Sequence, residues 1–209
     1  MAQAVDAVGA VDAVPERVQR HAAIDRAFHW LTALAVLVLM GTGLLPIVGV
    51  KFDWVGIHWI TGVVLVALVL FHVVRALGWQ RIRCLWISAG EFSAQRVGKY
   101  SVAQKLMHHA MTLMVLAASI TGVLMLAKVD TPFWQRDPYL FAAATWGVIY
   151  VVHGFAALAA VTLVMVHAYF ALIPENRMYL RAMIRGWMTR EEVLAKHDPN
   201  RWPGRRGRR

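Results

Sequence analysis

Four stretches of the chain are almost unbroken in apolar residues, and the polar positions gather between them. They run from Ala27 to Ile47, Val55 to Gly78, Leu106 to Ala127 and Thr145 to Ile173. A run of about 20 apolar residues is long enough to cross a bilayer as an α-helix. The pattern therefore predicts an all-α membrane protein, a bundle of four transmembrane helices, with little chain left for a soluble domain. Pro46 marks the end of the first span, the connection around Lys51 to Val55 is short, and Asp130 to Pro138 joins the third span to the fourth. A longer loop with Trp79, Trp86 and several arginines joins the second to the third, and tryptophan at span edges matches the aromatic belt. The expected organisation is a mobile N-terminal arm over 1–24, the four-span domain over 25–173, and a cytoplasmic segment over 174–209. The arm lacks the basic start of a signal peptide. In the last segment, Asn176 to Trp187 reads as an amphipathic helix on the cytoplasmic surface, and Arg205 to Arg209 as a solvated basic tail near anionic lipid.

Composition agrees with the spans. Hydrophobic residues make up 59% of the 209, against about 45–50% in ordinary soluble chains. The net charge of +10 would suit nucleic acid were it not for its distribution. Nineteen of the 22 lysines and arginines precede the first span, lie from Arg75 near the end of the second span to the start of the third, or follow the fourth. Only Lys51, Lys128 and Arg136 occupy the other two connections. The positive-inside rule then places both termini and the long middle loop on the cytoplasmic side of the membrane. Cys84 is the only cysteine, which excludes an internal disulfide, a C-x-x-C-H haem attachment, and an iron–sulfur cluster made by this chain alone.

Nine histidines are present. His21 and His197 lie outside the spans and read as ordinary surface residues. The other seven, His29, His58, His72, His108, His109, His153 and His167, fall in or at the edge of the spans, where ionisable groups are rare and functional by default. A neutral histidine bonded to a neighbouring helix is the ordinary alternative for any one of them. His153 and His167 argue against it jointly. Fourteen residues is close to four helical turns, a rise of about 21 Å, and leaves the two side chains within about 40° of one another. His58 and His72 repeat that spacing. One apolar helix thus offers an imidazole near each leaflet, which suits two haems hung between helices. Bis-histidine haem needs neutral imidazoles from opposite sides of the ring in an apolar slot. With alternating spans, His58 and His153 lie near the outer face and form one natural pair. His167 lies near the inner face, with His29 and His72 both open as its partner.

Small residues fit a slot. Gly62 lies four residues after His58, Gly154 follows His153, and Gly41, Gly43 and Gly122 occur in Gly-Thr-Gly and Thr-Gly settings. Close helix packing would use the same residues. Arg75, three residues after His72, can pair with a haem propionate or snorkel to headgroups.

Several motifs carry a resemblance. Asp25-Arg-Ala-Phe-His29-Trp30 opens the first span and His58-Trp-Ile-Thr-Gly62 the second. Gly98-Lys-Tyr-Ser-Val-Ala-Gln104-Lys105 leads into the third, while His153-Gly154 and Val166-His167-Ala168-Tyr169 bracket the fourth. Arg181 to Thr189 and Lys196 to Trp202 follow. From about Arg20 onward the chain resembles the cytochrome b (gamma) subunit of membrane-bound formate dehydrogenases, within the di-haem cytochrome b family that includes hydrogenase cytochrome b subunits. The resemblance implies that His29 and His167 hold the inner haem, with His72 the alternative to His29, and that His58 and His153 hold the outer one. It implies two b-type haems, an iron–sulfur subunit and a catalytic dehydrogenase subunit as partners, and quinone as acceptor near Ser101, Gln104, Lys105, His108 and His167. The family commonly has Asn at the position of Ser101, usually reads His-His-Pro where this chain has His197-Asp198-Pro199, and has a longer outer loop after the first helix. These departures leave room for a different dehydrogenase partner.

The expected function is therefore electron transfer and quinone reduction in a respiratory oxidoreductase, without the substrate-oxidising chemistry itself. The sequence leaves the oligomeric state of such a complex open. Two rivals are a free-standing cytochrome b exchanging electrons between quinone and a small oxidant, and a haem-free transporter or channel with a histidine relay.

Overall fold

The computed structural model describes residues 15–79, 85–92, 96–198 and 202. Residues 1–14, Arg81, Arg83 and Cys84 of the middle loop, and the basic tail from Arg205 lie outside the described residues. Four helices are long and apolar enough to cross a membrane. They are α1 (Ala23–Leu44), α2 (Trp54–Trp79), α3 (Val102–Met125) and α4 (Ala143–Leu172). A short strand β1 (Arg17–Gln19) precedes them, and α5 (Arg177–Arg185), β2 (Trp187–Thr189) and α6 (Arg190–Lys196) follow.

Local chemistry moves two helix starts ahead of the apolar runs. Helix α1 begins at Ala23, where Asp25 in the first turn accepts a hydrogen bond from the Ala22 N–H at 3.3 Å and meets the positive end of the helix dipole. Helix α3 begins at Val102 behind a capping box. The Ser101 N–H donates to Gln104 Oε1 at 3.0 Å, and the Gln104 N–H donates to Ser101 Oγ at 3.2 Å.

The chain divides into two compact units. The span unit comprises Phe28–Gln80 and His108–Val166. Its helices are tied by side chains close to the histidines: Thr42 of α1 to His58 of α2, Thr121 of α3 to His153 of α4, and Phe28 of α1 stacked on His72 of α2. In each of the four apolar helices only 6–11% of the most apolar stretch is buried. Leu34, Leu37, Val64, Leu70, Leu113, Ile120, Val151 and Phe155 point outward, the inverse of a water-soluble helix and the arrangement a lipid solvent selects.

The terminal unit comprises Met1–Ala27, Arg81–Met107 and His167–Arg209. It is built like a small soluble domain. Val18, Ala182, Met188 and Val193 form a buried core against which Met178, Tyr179, Leu194 and Trp202 pack. Strands β1 and β2 pair antiparallel, Arg17 with Thr189, Val18 with Met188 and Gln19 with Trp187. Within the arm expected over 1–24, residues 17–19 thus form a strand and Arg20 is buried.

The stretch from Asn176 to Trp187, expected as one helix, is helical over Arg177–Arg185 and then turns. Gly186 ends α5 with φ +93°, a conformation that favours glycine. A Cβ there would lie 2.9 Å from Arg26 Nη1 and 3.0 Å from the His21 carbonyl, so the guanidinium and the carbonyl would also have to give way. The Gly186 carbonyl accepts the N–H groups of Arg20 and His21 at 2.9 and 3.1 Å. Helix α6 starts in a second capping box, with the Glu192 N–H donating to Thr189 Oγ1 at 3.3 Å and the Thr189 N–H to Glu192 Oε2 at 3.0 Å. Arg181 of α5 pairs with Glu192 and ties the two helices together.

Candidate functional site

His58 and His153 face each other in the span unit. Their ring centres are 6.3 Å apart and the rings are inclined at 68°. Metal–imidazole bonds of about 2 Å on each side of a shared iron hold facing ring centres roughly 6 Å apart, so the pair is spaced as two axial ligands would be. Each ring is gripped from behind. His58 Nδ1 lies 2.8 Å from Thr42 Oγ1, and His153 Nδ1 lies 2.9 Å from Thr121 Oγ1. Gly43 and Gly122, the residues after these threonines, lie against the same rings. A Cβ on Gly43 would come 3.7 Å from His58 Cε1, and one on Gly122 3.4 Å from His153 Cε1. A Cβ on Gly41 or Gly154 would meet nothing within 4 Å, and Gly62 faces Leu39 of α1. The donor set, its spacing and the bare backbone beside it fit a flat iron macrocycle. Sequence reasoning noticed these glycines and passed over the threonines. The available signal was the dipeptide Thr-Gly recurring at Thr42 and Thr121.

The remaining span histidines form a looser group. His72 stacks on Phe28 at 4.6 Å and 11°. It also faces His108 of α3 at 6.4 Å and 66°, close to the geometry of the His58–His153 pair. His108 in turn lies 5.6 Å from His109. His29 is half-buried with Trp30 edge-on at 5.1 Å. His167 is exposed on α4 and belongs to the terminal unit, whereas His29 belongs to the span unit. Arg75 is half-buried one turn beyond His72. No group of three or more His, Cys, Asp or Glu residues among the described residues could hold a bare metal ion.

Ser101, Gln104 and Lys105 gather at the start of α3. The capping box uses the Ser101 oxygen and the Gln104 carbonyl oxygen. The Ser101 hydroxyl proton and the Gln104 amide nitrogen take no part in it. Lys105 is 3% exposed. Its ammonium donates to both carboxylate oxygens of Glu91 at 2.7 Å and to the Trp86 carbonyl at 2.8 Å. These three acceptors match its three donors, so it fastens the loop between α2 and α3 to the third helix.

One polar cluster in the terminal unit was missed. His197, expected at the surface, is fully buried at 0% exposure. Its Nδ1–H donates to the Gly98 carbonyl at 2.6 Å, and its Nε2 accepts from Arg20 Nη1 at 3.2 Å. Arg20 Nη2 donates to the Lys99 carbonyl at 2.8 Å. The guanidinium carbon lies 4.7 Å from the Tyr179 ring centre, 5.3 Å from Trp202 and 5.4 Å from Tyr100. The Arg20 charge, 4% exposed, thus rests on aromatic faces, a carbonyl and an imidazole lone pair. Burial lowers the His197 pKa to about 4, against the pull of the Gly98 hydrogen bond and with the help of the Arg20 charge. The ring is therefore neutral at physiological pH.

Residues 20–186 match the family model of prokaryotic cytochrome b561. The chain is 26% identical to the formate dehydrogenase cytochrome b556(fdo) subunit of Escherichia coli K12, over 90% of this chain and 92% of that protein. It is 22% identical to the formate dehydrogenase cytochrome b556 subunit of Haemophilus influenzae, over 86% of this chain and 85% of that protein. All the span histidines fall inside the matched region, while β2, α6 and His197 lie beyond it.

Proposed function

The chain belongs to the prokaryotic cytochrome b561 family and is a membrane cytochrome b with an electron-transfer role; from this we propose that it is the anchor subunit of a formate dehydrogenase-like respiratory complex, carrying electrons from an iron–sulfur subunit by two b-type haems to membrane quinone. The observation that carries the reading is the His58–His153 pair, spaced at 6.3 Å with each Nδ1 held by a threonine. With Nδ1 so held, Nε2 is the nitrogen of each ring that would present a lone pair to iron. Haem bound there supplies a carrier that accepts and releases single electrons. The outward-facing Leu, Val and Phe side chains keep the helices in lipid and water away from the slot.

The second haem falls to His29 and His167, with Arg75 as the propionate partner. Ser101, Gln104 and His108 supply the quinone contacts. The Ser101 hydroxyl, the Gln104 amide and the His108 ring can donate hydrogen bonds to a quinone oxygen, and His108 can pass it a proton. Lys105 serves that site through the loop it fastens. With the basic residues on the cytoplasmic side, protons enter quinone from the cytoplasm while electrons arrive from outside, which builds a membrane potential. Formate enters through the names of the relatives, and its oxidation belongs to a separate catalytic subunit.

One observation favours a different inner pair. His72 faces His108 at 6.4 Å and 66°, against 6.3 Å and 68° for His58 and His153. A His29→Ala chain that keeps two haems beside a His72→Ala chain that keeps one would move the inner ligand to His72.

The test of the whole reading is a reduced-minus-oxidised spectrum of the purified chain with a haem-to-protein ratio. Two b-type haems per chain are expected. One haem would overturn the di-haem path, and none would return the histidines to a relay transporter. Co-purification of an iron–sulfur protein distinguishes a subunit from a free-standing quinone cytochrome.

A further inference from the structure

We infer that Thr42 and Thr121 are positioning residues for the iron ligands, fixing His58 and His153 as Nδ1–H tautomers and setting the potential of the haem they share. The inference rests on the reading of those histidines as ligands. A threonine hydroxyl carries one proton. In Thr42 it is directed to the Val38 carbonyl at 2.8 Å, with Leu39 at 3.2 Å, one turn back in α1. In Thr121 it is directed to the Ala117 carbonyl at 2.6 Å, with Ala118 at 3.2 Å, one turn back in α3. With the proton committed to the backbone, the oxygen can meet an imidazole only as an acceptor. The contacts at 2.8 and 2.9 Å are therefore Nδ1–H donations, and the lone pair of each ring is placed on Nε2.

Three further facts make this a built seat. Thr42 is 5% exposed and Thr121 7% exposed, and each shares full burial on its helix with just one other residue, Ala35 on α1 and Lys105 on α3. Each threonine is followed by a glycine that lies beside the same imidazole. The arrangement also occurs twice, on α1 for a histidine of α2 and on α3 for a histidine of α4. Both ligands of one iron are therefore treated alike. A hydrogen bond accepted from Nδ1–H raises the basicity of Nε2, and the carbonyl-to-hydroxyl-to-imidazole chain polarises along its length. A more basic ligand favours the more highly charged ferric iron. These threonines hold the midpoint potential of the shared haem below the value that unsupported imidazoles would give.

Thr42→Val and Thr121→Val keep the shape and remove the acceptor, while Thr→Ser at either position keeps the acceptor. The experiment is a potentiometric haem titration with resonance Raman of the iron–imidazole bonds, on the full chain in its membrane complex. Each valine variant should shift one haem midpoint upward and weaken its iron–imidazole bond. The other haem should stay in place, the double variant should shift further, and the serine variants should match the parent. Unmoved midpoints in both valine variants would overturn the inference. If the valine variants lose the haem outright, retention of haem and potential in the serine variants upholds it, and equal loss in the serine variants overturns it. A His58→Ala chain with its full haem complement would instead sink the ligand assignment itself, whatever the threonines do.

Discussion

His197 in the terminal unit and His58 in the span unit are held in the same way and face different things. Each has its Nδ1 bound to an oxygen, the Gly98 carbonyl for one and the Thr42 hydroxyl for the other. With Nδ1–H donating, the lone pair of each neutral ring lies on Nε2. His197 aims that lone pair at a guanidinium, Arg20, inside a cage of aromatic rings. His58 aims its lone pair toward a second imidazole across a gap of iron-ligand width. Fixing the tautomer makes a lone pair dependable. What lies opposite decides whether it supports a fold or a redox centre.

The sharpest way to break this comparison is to delete the rings. His58→Ala and His153→Ala should each halve the haem content by removing the same haem, whereas His197→Ala should leave both. Pyridine haemochrome assay of purified chains checks it, and loss of haem from the His197 variant would erase the distinction. Next in size is Arg20→Ala. It removes the hydrogen bonds to His197, Lys99 and Met188 and three cation–aromatic contacts, and should cost the terminal unit about 3 kcal/mol. Hydrogen exchange across residues 187–197 should rise sharply in that variant, with haem spectra unchanged.

Acid should act on the terminal unit in the same direction. The His197 pKa is lowered from 6.5 to about 4 in the fold, by burial first and by the Arg20 charge. The unfolded chain therefore binds a proton before the folded one does. The stability from the neutral ring is fully present above pH 6.5 and is lost as pH falls toward 4. Exchange protection of β1 and β2 should follow that window, and His197→Gln should flatten the profile. The smallest expected effect is at Thr189→Ala, which removes one side of the α6 capping box and should cost about 1 kcal/mol, read as a lower denaturant midpoint for the terminal unit.

The four spans were legible because lipid selects continuous apolar runs, and the meeting of His58 with His153 because alternating spans put both near the same end of their helices. The start of α3 was hidden by Lys105. Its charge made the first turn look like loop, whereas the residue is buried and paired with Glu91. Strands β1 and β2 are three residues each and owe their pairing to partners from opposite ends of the chain, so no local pattern announces them. His197 was misread for the same reason. Its burial comes from Arg20, Gly98 and Tyr179, all distant in sequence, which close over it together with the nearby Trp202. The threonine seats were visible as a repeated dipeptide, but a hydroxyl in an apolar helix is silent until its distance to a ring is known.

The pairing of β1 with β2 also sets a schedule. Arg20 meets Met188 only after 168 further residues have been made, and His197 comes later still. At a synthesis rate of about 5–20 residues per second, the first strand and its arginine wait roughly ten to thirty seconds on the growing chain. All four spans leave the ribosome in that interval. The guanidinium stays hydrated until Tyr179, His197 and Trp202 arrive to receive it. Closure of the β1–β2 pair therefore marks the moment at which the four spans and α5 have been delivered.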